Sequence, residues 1–407
     1  LTTQRPHPLS DAFNICIVGG AGHVGLPLAL SFTGADQRVV VYDLNEPIFD
    51  VIRSGTMPFV EQGADALLRR ALDGALIEFT ADPAMISNCE TVIITIGTPV
   101  DEFLNPVHKA VKDCIDALLP HLRDGQLIVL RSTVYPGTTD WLHRYLIDAG
   151  KSVHLAFCPE RVVQGLAIKE LAETPQIISA TTPEALAAAR SLFEKVSPEI
   201  IEIDPMEAEF AKLFNNTYRY IQFAITNQFY MIANSAGVDY YRIRHAMMHN
   251  YPRAKDIPAA GFTAGPCLFK DTMQLTAFAR NSFSLGNAAM LVNEGLVLYI
   301  IDRLRQTYRL EDMTVGLLGM AFKPDSDDTR ASLSFKIRKD LTILAKSILI
   351  TDPLVTGIDG LMPVDEVVEK SDLLILCVPH SAYRGLDTRG KPTIDIWNYL
   401  DGGTFRI

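Results

Sequence analysis

The chain has 407 residues, 48% apolar and 21% charged, which is more than one hydrophobic core usually serves and is globular rather than disordered in composition. Its net charge of −11, without any Lys/Arg-rich block, argues against nucleic acid as a partner. The six cysteines, at 16, 89, 114, 158, 267 and 377, form no CxxC pair or cluster, so a reducing cytoplasm is expected and a metal centre is not.

The opening stretch LTTQRPHPLSDAF holds no apolar signal core, and no uninterrupted run of about 18 apolar residues follows, so no membrane association is expected. Residues 13–43 then read as strand, glycine turn, helix and strand: FNICIVG, GAGHVG, LPLALSFTGA, RVVVYD. That is a βαβ unit. Apolar runs at 91–97, 126–133, 153–159 and 176–180 alternate with helical stretches, predicting a doubly wound, mostly parallel sheet. Pro198 and Pro205 bracket a short strand, EIIEID, after which the strand pattern stops.

From Met206 to about Arg309 the pattern is helical, and the simplest reading is a long helix linking two domains. The runs MTVGLLG (313–319), SILITDP (347–353) and SDLLILCVP (371–379) predict a second, smaller α/β unit. Its first turn, Gly319 to Pro324, lacks the glycine fingerprint. The fold class expected is therefore α/β, with an N-terminal Rossmann domain (1–204), a central long-helix region (205–309) and a C-terminal Rossmann-like domain (310–407).

Gly20, Gly22 and Gly25 follow a strand and open a helix, with His23 and Val24 inside the turn and Asp43 ending the next strand. Glycines at this spacing permit a tight turn, approach of pyrophosphate to backbone N–H groups, and close helix–strand packing. A carboxylate at Asp43 accepts from ribose hydroxyls and repels a 2′-phosphate, pointing to NAD over NADP, with FAD as a lesser competitor.

Cys267, in GFTAGPCLFKD (261–271), adds a nucleophile. An alcohol becomes an aldehyde with only a base and a hydride acceptor, whereas an aldehyde needs a nucleophile to add before it can lose a second hydride. The resulting thioester yields an acid on hydrolysis. The alternative is a packed thiol. Lys212 and Asn216, four apart, share a helix face, where a lysine can bond or deprotonate a hydroxyl or stabilise an oxyanion, and an amide can orient water. Loops at strand C-terminal ends supply Thr98, Thr133, Glu160 and Arg161, where such sheets bind ligands.

Together, GAGHVGLP, the Gly97-Thr98-Pro99 and STVYPG loops, PERVVQG, AEFAKLFNNTYR, GPCLFKD and GMAFKPDSDDTR resemble the nucleotide-sugar 6-dehydrogenases typified by UDP-glucose and UDP-N-acetylmannosamine dehydrogenases. The resemblance extends over nearly the whole chain. It implies an NAD-binding first domain, a central dimerisation region giving a homodimer or higher homo-oligomer, and a last domain for UDP. It also implies a place in polysaccharide biosynthesis. By motif match Cys267 is the nucleophile; Lys212, Asn216 and Asp271 transfer protons and hold water; Glu160 and Thr133 assist hydrolysis and water placement. Gly20, Gly22, His23, Val24, Gly25, Asp43, Thr98 and Thr133 are the expected cofactor residues. Glu160, Arg161, Lys212, Asn216, Arg253, Gly265, Lys270, Phe322, Lys323 and Arg330 are the expected substrate residues, the cations among them offsetting a diphosphate.

The chain departs from many relatives at Gly265-Pro266-Cys267, where proline replaces a residue with a backbone donor. The segment Pro159-Glu160-Arg161 looks more like the N-acetylhexosamine branch, so a UDP-N-acetylhexosamine is the expected substrate, ahead of UDP-glucose. Two rival readings are a two-electron hydroxyacid dehydrogenase of the 6-phosphogluconate type, which needs neither Cys267 nor a second α/β domain, and a non-catalytic NAD-binding protein.

Overall fold

The structure, a computed structural model, describes residues 13–104 and 107–400; the reading of residues 1–12 as free of a signal core lies outside them. The described residues up to Leu213 form one compact unit and those from Phe214 onward another.

In the first unit the strands are β1 (Ile15–Val18), β2 (Val39–Tyr42), β3 (Ile77–Thr80), β4 (Thr91–Ile94), β5 (Leu127–Leu130), β6 (His154–Phe157), β7 (Gln176–Ala180) and β8 (Ile200–Glu202). Among the described residues they form a sheet of order β3-β2-β1-β4-β5-β6-β7-β8. All neighbours are parallel except β6 and β7. VVVY and LIVL are buried at every position, as strands covered on both faces require. Strand order reverses between β1 and β4, whose residues pair from Ile15 with Thr91 to Val18 with Ile94. That reversal opens the crevice where such sheets bind ligands. The sequence reading passed over β3, whose four residues IEFT alternate buried and half-buried.

In the second unit β9 (Thr314–Leu318), β10 (Ser347–Thr351), β11 (Leu373–Leu376) and β12 (Thr393–Ile394) form a parallel sheet of order β10-β9-β11-β12. β12, only two residues long, was not expected. The helix Pro205–Ser235 starts in the first unit and runs on into the second. Residues 214–309 share a core with the C-terminal sheet: Tyr230, Leu296, Val297, Ile300 and Leu304 cluster with Val315, Leu317 and Ile337. The helix Ser284–Thr307 is long and apolar enough to cross a membrane by length and composition. Its buried residues, which include Leu296, Val297, Ile300, Ile301 and Leu304, belong to this core.

Candidate active site

The glycine turn after β1 divides its work among its residues. Gly19 has φ +70°, a left-handed conformation that favours glycine. A Cβ on Gly20 would lie 2.6 Å from the Ile17 carbonyl oxygen, and one on Gly25 would lie 2.5 Å from Gly20 Cα. These two glycines therefore allow close packing. A Cβ on Gly22 would meet only the Gly19 oxygen, at 3.7 Å, so the backbone there stays open to a ligand. Val24 is the N-cap of the helix Gly25–Gly34, and the turn delivers its N–H groups to the positive end of that helix. Asp43 accepts from the Ala21 N–H at 3.0 Å through one oxygen and from the Asn45 N–H through the other. His23 stacks obliquely on Phe59 and lies 2.6 Å from the Gln164 amide.

The loops after β4 and β5 meet: Thr98 Oγ1 donates to the Thr133 carbonyl at 2.6 Å. The STVYPG loop ends at Gly137 (φ +92°), and there the buried Glu209 accepts from the N–H groups of Gly137 and Thr139 and from the Thr139 hydroxyl. Burial pushes the Glu209 carboxyl up despite those bonds. Glu209 lies three residues before Lys212 on the helix Pro205–Ser235, so it ties the start of that helix to the loop carrying Thr133.

Glu160 is buried and fully engaged. Arg131 Nε donates to Oε2 at 2.8 Å, while the N–H groups of Arg161 and Val162 donate to Oε1. Burial alone would raise its pKa, but the Arg131 guanidinium, the Val162 N–H and the Lys212 ammonium hold the carboxyl below its ordinary value. Arg131 itself is 1% exposed and also bonds the Cys158 carbonyl and the Gln176 side chain. Lys212, 9% exposed, stands in the field of Glu160. The Arg161 guanidinium donates to the Pro175 carbonyl.

In the second unit Cys267 is the N-cap of the helix Leu268–Phe278. Among the six cysteines it is the exposed one. Burial pushes the Cys158 and Cys377 thiols up to about 12 and the Cys114 thiol up to about 11, leaving them inert. A sulfur at a helix N-terminus is favoured as thiolate. One turn on, Asn216 Nδ2 donates to Asp271 Oδ2 at 2.5 Å and Lys270 Nζ lies 2.7 Å from Asp271 Oδ1. Asp271 is 0% exposed. Gly265 has φ +102°, and a Cβ there would lie 2.5 Å from the Phe322 ring, so the cysteine loop and the loop after β9 pack together only through a glycine.

That second loop is braced from below. Asp352, after β10, accepts from the N–H groups of Met320 and Ala321 and faces His380 Nε2 at 3.1 Å. His380 Nδ1 faces the Asp325 N–H at 3.1 Å. Arg330 forms a fork with Asp328, and its guanidinium is raised first by that partner and also by the Cys267 sulfur. Asp325 is held below the usual carboxylate range: burial opposes this, but the Ser381 N–H, His380 and Lys323 outweigh it. The Arg253 guanidinium lies over the exposed Tyr251 ring, 5.0 Å from its centroid, and its Nε donates to the Tyr251 hydroxyl at 2.9 Å.

Residues the sequence reading missed are Gly19, Arg131, Glu209, Asp352 and His380. Arg131 was signalled by a lone cation in the strand segment QLIVLRST. Asp352 was signalled by its place after β10, which matches that of Asp43 after β2.

A dinucleotide turn at a sheet switch point, with an exposed cysteine at a helix N-terminus, is the equipment of an NAD-dependent dehydrogenase. The UDP-glucose/GDP-mannose dehydrogenase family matches the chain with its NAD binding domain at residues 13–197, its central domain at 206–295 and its UDP binding domain at 316–402. An NDP-N-acetyl-D-galactosaminuronic acid dehydrogenase of Ralstonia nicotianae is 28% identical over 92% of this chain and 93% of its own. Among solved structures, UDP-D-ManNAc dehydrogenase from Pyrococcus horikoshii has a TM-score of 0.86 at 26% identity, covering 95% of this chain and 93% of that one. A UDP-glucose dehydrogenase from Pyrobaculum islandicum has a TM-score of 0.87 at 25% identity, covering 98% and 96%. The chain belongs to the UDP-glucose/GDP-mannose dehydrogenase family, the NAD-dependent nucleotide-sugar dehydrogenases.

Proposed function

We propose that the protein oxidises the C6 hydroxymethyl of a UDP-N-acetylhexosamine to the carboxylate, passing four electrons to two NAD through a Cys267 thioester. The observation that carries the reading is Cys267, exposed at the start of the helix Leu268–Phe278, with the buried Asn216–Asp271 pair and the half-buried Lys270 one turn on. The sugar preference is supported by relatives named for N-acetylated sugars.

NAD supplies the hydride acceptor. Gly20, Gly22, His23, Val24 and Gly25 would hold its pyrophosphate and Asp43 its adenosine ribose, with Thr98 and Thr133 as further residues toward it. Lys212 hydrogen-bonds the C6 oxygen and offsets the negative charge that develops there as the hydroxyl proton passes to water and the first hydride leaves, giving the aldehyde. The Cys267 thiolate adds to that carbonyl, whose π electrons move to the oxygen to give a thiohemiacetal oxyanion, and collapse of that oxyanion to a carbonyl expels the second hydride and gives the thioester. Water held by Asn216 and Asp271 then attacks the acyl carbon; the sulfur leaves as thiolate, and the water's proton passes to Asp271. Lys270 holds the Asp271 carboxylate in place. Glu160, bound at both oxygens, serves by anchoring the loop that carries Arg161. Phe322, Lys323, Arg330, Arg253 and the Gly265 backbone receive the nucleoside diphosphate, whose charge the cations offset.

The parts proposed for these tasks are 1–204 for NAD, 205–309 for dimerisation and 310–407 for UDP. Homo-oligomer formation, as a dimer or larger, is supported by an exposed apolar stripe on the helix Pro205–Ser235: Phe214, Tyr218, Ile225, Phe229 and Ile232. In this reading the enzyme works in the cytoplasm and supplies uronic acids for polysaccharide synthesis.

The test is NADH formation with a panel of UDP-, GDP- and dTDP-sugars, run with the wild type and Cys267→Ser. The expected result is two NADH per UDP-N-acetylhexosamine and loss of acid formation in the variant with NAD binding intact. Undiminished turnover by Cys267→Ser would overturn the covalent route.

A further inference from the structure

The segment that delivers Cys267 to the surface is itself buried. Gly261, Phe262, Thr263 and Gly265 are buried, while Cys267 is exposed. A loop sunk in a core must find partners for its backbone groups. At Gly261 one side chain meets both: Asn227 Oδ1 accepts from the Gly261 N–H at 2.9 Å, and Asn227 Nδ2 donates to the Gly261 carbonyl at 3.1 Å. The same Nδ2 donates to Asn293 Oδ1 at 3.0 Å, and Asn293 Nδ2 donates to the Tyr220 carbonyl at 3.0 Å. Asn227 and Asn293 are both 0% exposed. The two amides thus bind the helices Pro205–Ser235 and Ser284–Thr307 to the first residue of the cysteine segment.

Position and direction are set together here. A Cβ on Gly261 would run into the Trp397 ring, so the backbone is pressed against the indole on one side and held by Asn227 on the other. Four residues on, the Gly265 N–H donates to the Ala331 carbonyl at 3.3 Å and the Phe322 ring fills the space beside it. With both ends of Gly261–Gly265 pinned, Cys267 has little freedom in where it enters its helix. Leaving a buried amide unsatisfied is costly, so the arrangement is determined by the amides and not by shape alone.

We propose that Asn227, seconded by Asn293, is a positioning residue for Cys267, clamping the backbone at Gly261 so that the sulfur is held where it attacks the aldehyde. The inference rests on the proposed role of Cys267. Reaction at a positioned nucleophile is steep in geometry, a misplacement of about 1 Å costing about 10²-fold.

The test uses the full-length enzyme in three variants: Cys267→Ser, Asn227→Ala and Asn227→Asp. Asn227→Ala is expected to lower kcat about 10²-fold, to leave KM for NAD unchanged, and to shift the pH profile of iodoacetamide alkylation at Cys267. Asn227→Asp keeps the shape. Its neutral carboxyl can accept from the Gly261 N–H and donate its single proton to the Gly261 carbonyl, giving up the bond to Asn293, whereas its ionised form cannot donate at all. Its kcat relative to the wild type should therefore fall as the pH rises through the titration of the new aspartate, and this arm decides the matter where Asn227→Ala does not fold. The proposal is overturned if Asn227→Ala folds and keeps the wild-type kcat and alkylation profile, or if the Asn227→Asp ratio is flat with pH. It is equally overturned if the loss falls on thermal stability alone. Full activity in Cys267→Ser would instead mark failure of the covalent mechanism itself.

Discussion

Asn216 and Asp271, 55 positions apart, are joined by a 2.5 Å hydrogen bond from the Asn216 amide to Asp271 Oδ2, and Lys270 meets the other carboxylate oxygen at 2.7 Å. Held at both oxygens in this way, Asp271 is the acceptor proposed for the proton of the hydrolytic water.

Replacing Asp271 with Asn removes that acceptor while keeping the shape of the cluster. Hydrolysis should slow by about 10²-fold or more while thioester formation continues. Rapid mixing should then show an NADH burst followed by slow turnover. Intact-mass measurement should find a sugar-nucleotide adduct that is absent when Cys267 is also replaced. A variant with neither burst nor adduct would remove Asp271 from the hydrolytic step.

Asp43 accepts from the Ala21 N–H, and Asn at this position keeps an acceptor for that bond. The turn should survive and the charge should not. Asp43→Asn should weaken NAD binding about tenfold, as loss of a bond to a charged group predicts, and narrow the preference over NADP. Titration calorimetry with both cofactors measures the two effects separately.

Glu160 and Arg131 form a buried ion pair, and removing one partner leaves the other uncompensated. Glu160→Gln should destabilise the protein by about 3 to 5 kcal/mol, measured by denaturant unfolding. A variant of unchanged stability that accumulates the thioester adduct would instead give Glu160 a direct part in deacylation.

Asp352 offers a pH test. Burial pushes its carboxyl up, but His380 and the N–H groups of Leu354 and Met320 more than offset this, bringing it from 3.8 to about 2. A depressed carboxylate contributes stability above its unfolded pKa and loses it as the pH falls through its folded value. The contribution, about 2 kcal/mol, should be complete at neutral pH and disappear between about 3.8 and about 2. In Asp352→Asn that part of the acid dependence should be missing from the unfolding curves.

What could be read from the chain alone was whatever repeats over short distances. Buried runs of four or five apolar residues marked the principal strands, the spacing of Gly20, Gly22 and Gly25 marked the dinucleotide turn, and Cys267 stood out by the glycines around it. β3 and β12 escaped because one alternates through a charged residue and the other is only two residues long.

The sequence by itself determined the two α/β units, their order, the cofactor turn and the thiol, because strand and helix periods and turn glycines are local properties of a chain. Tertiary structure alone decided which polar groups meet. Arg131 finds Glu160 across 29 positions, Asn227 finds Gly261 across 34 and Asn293 across 66. These pairings depend on which faces the folded elements bury against one another. A buried donor or acceptor costs too much to leave unmatched, so folding pairs groups that no local pattern relates.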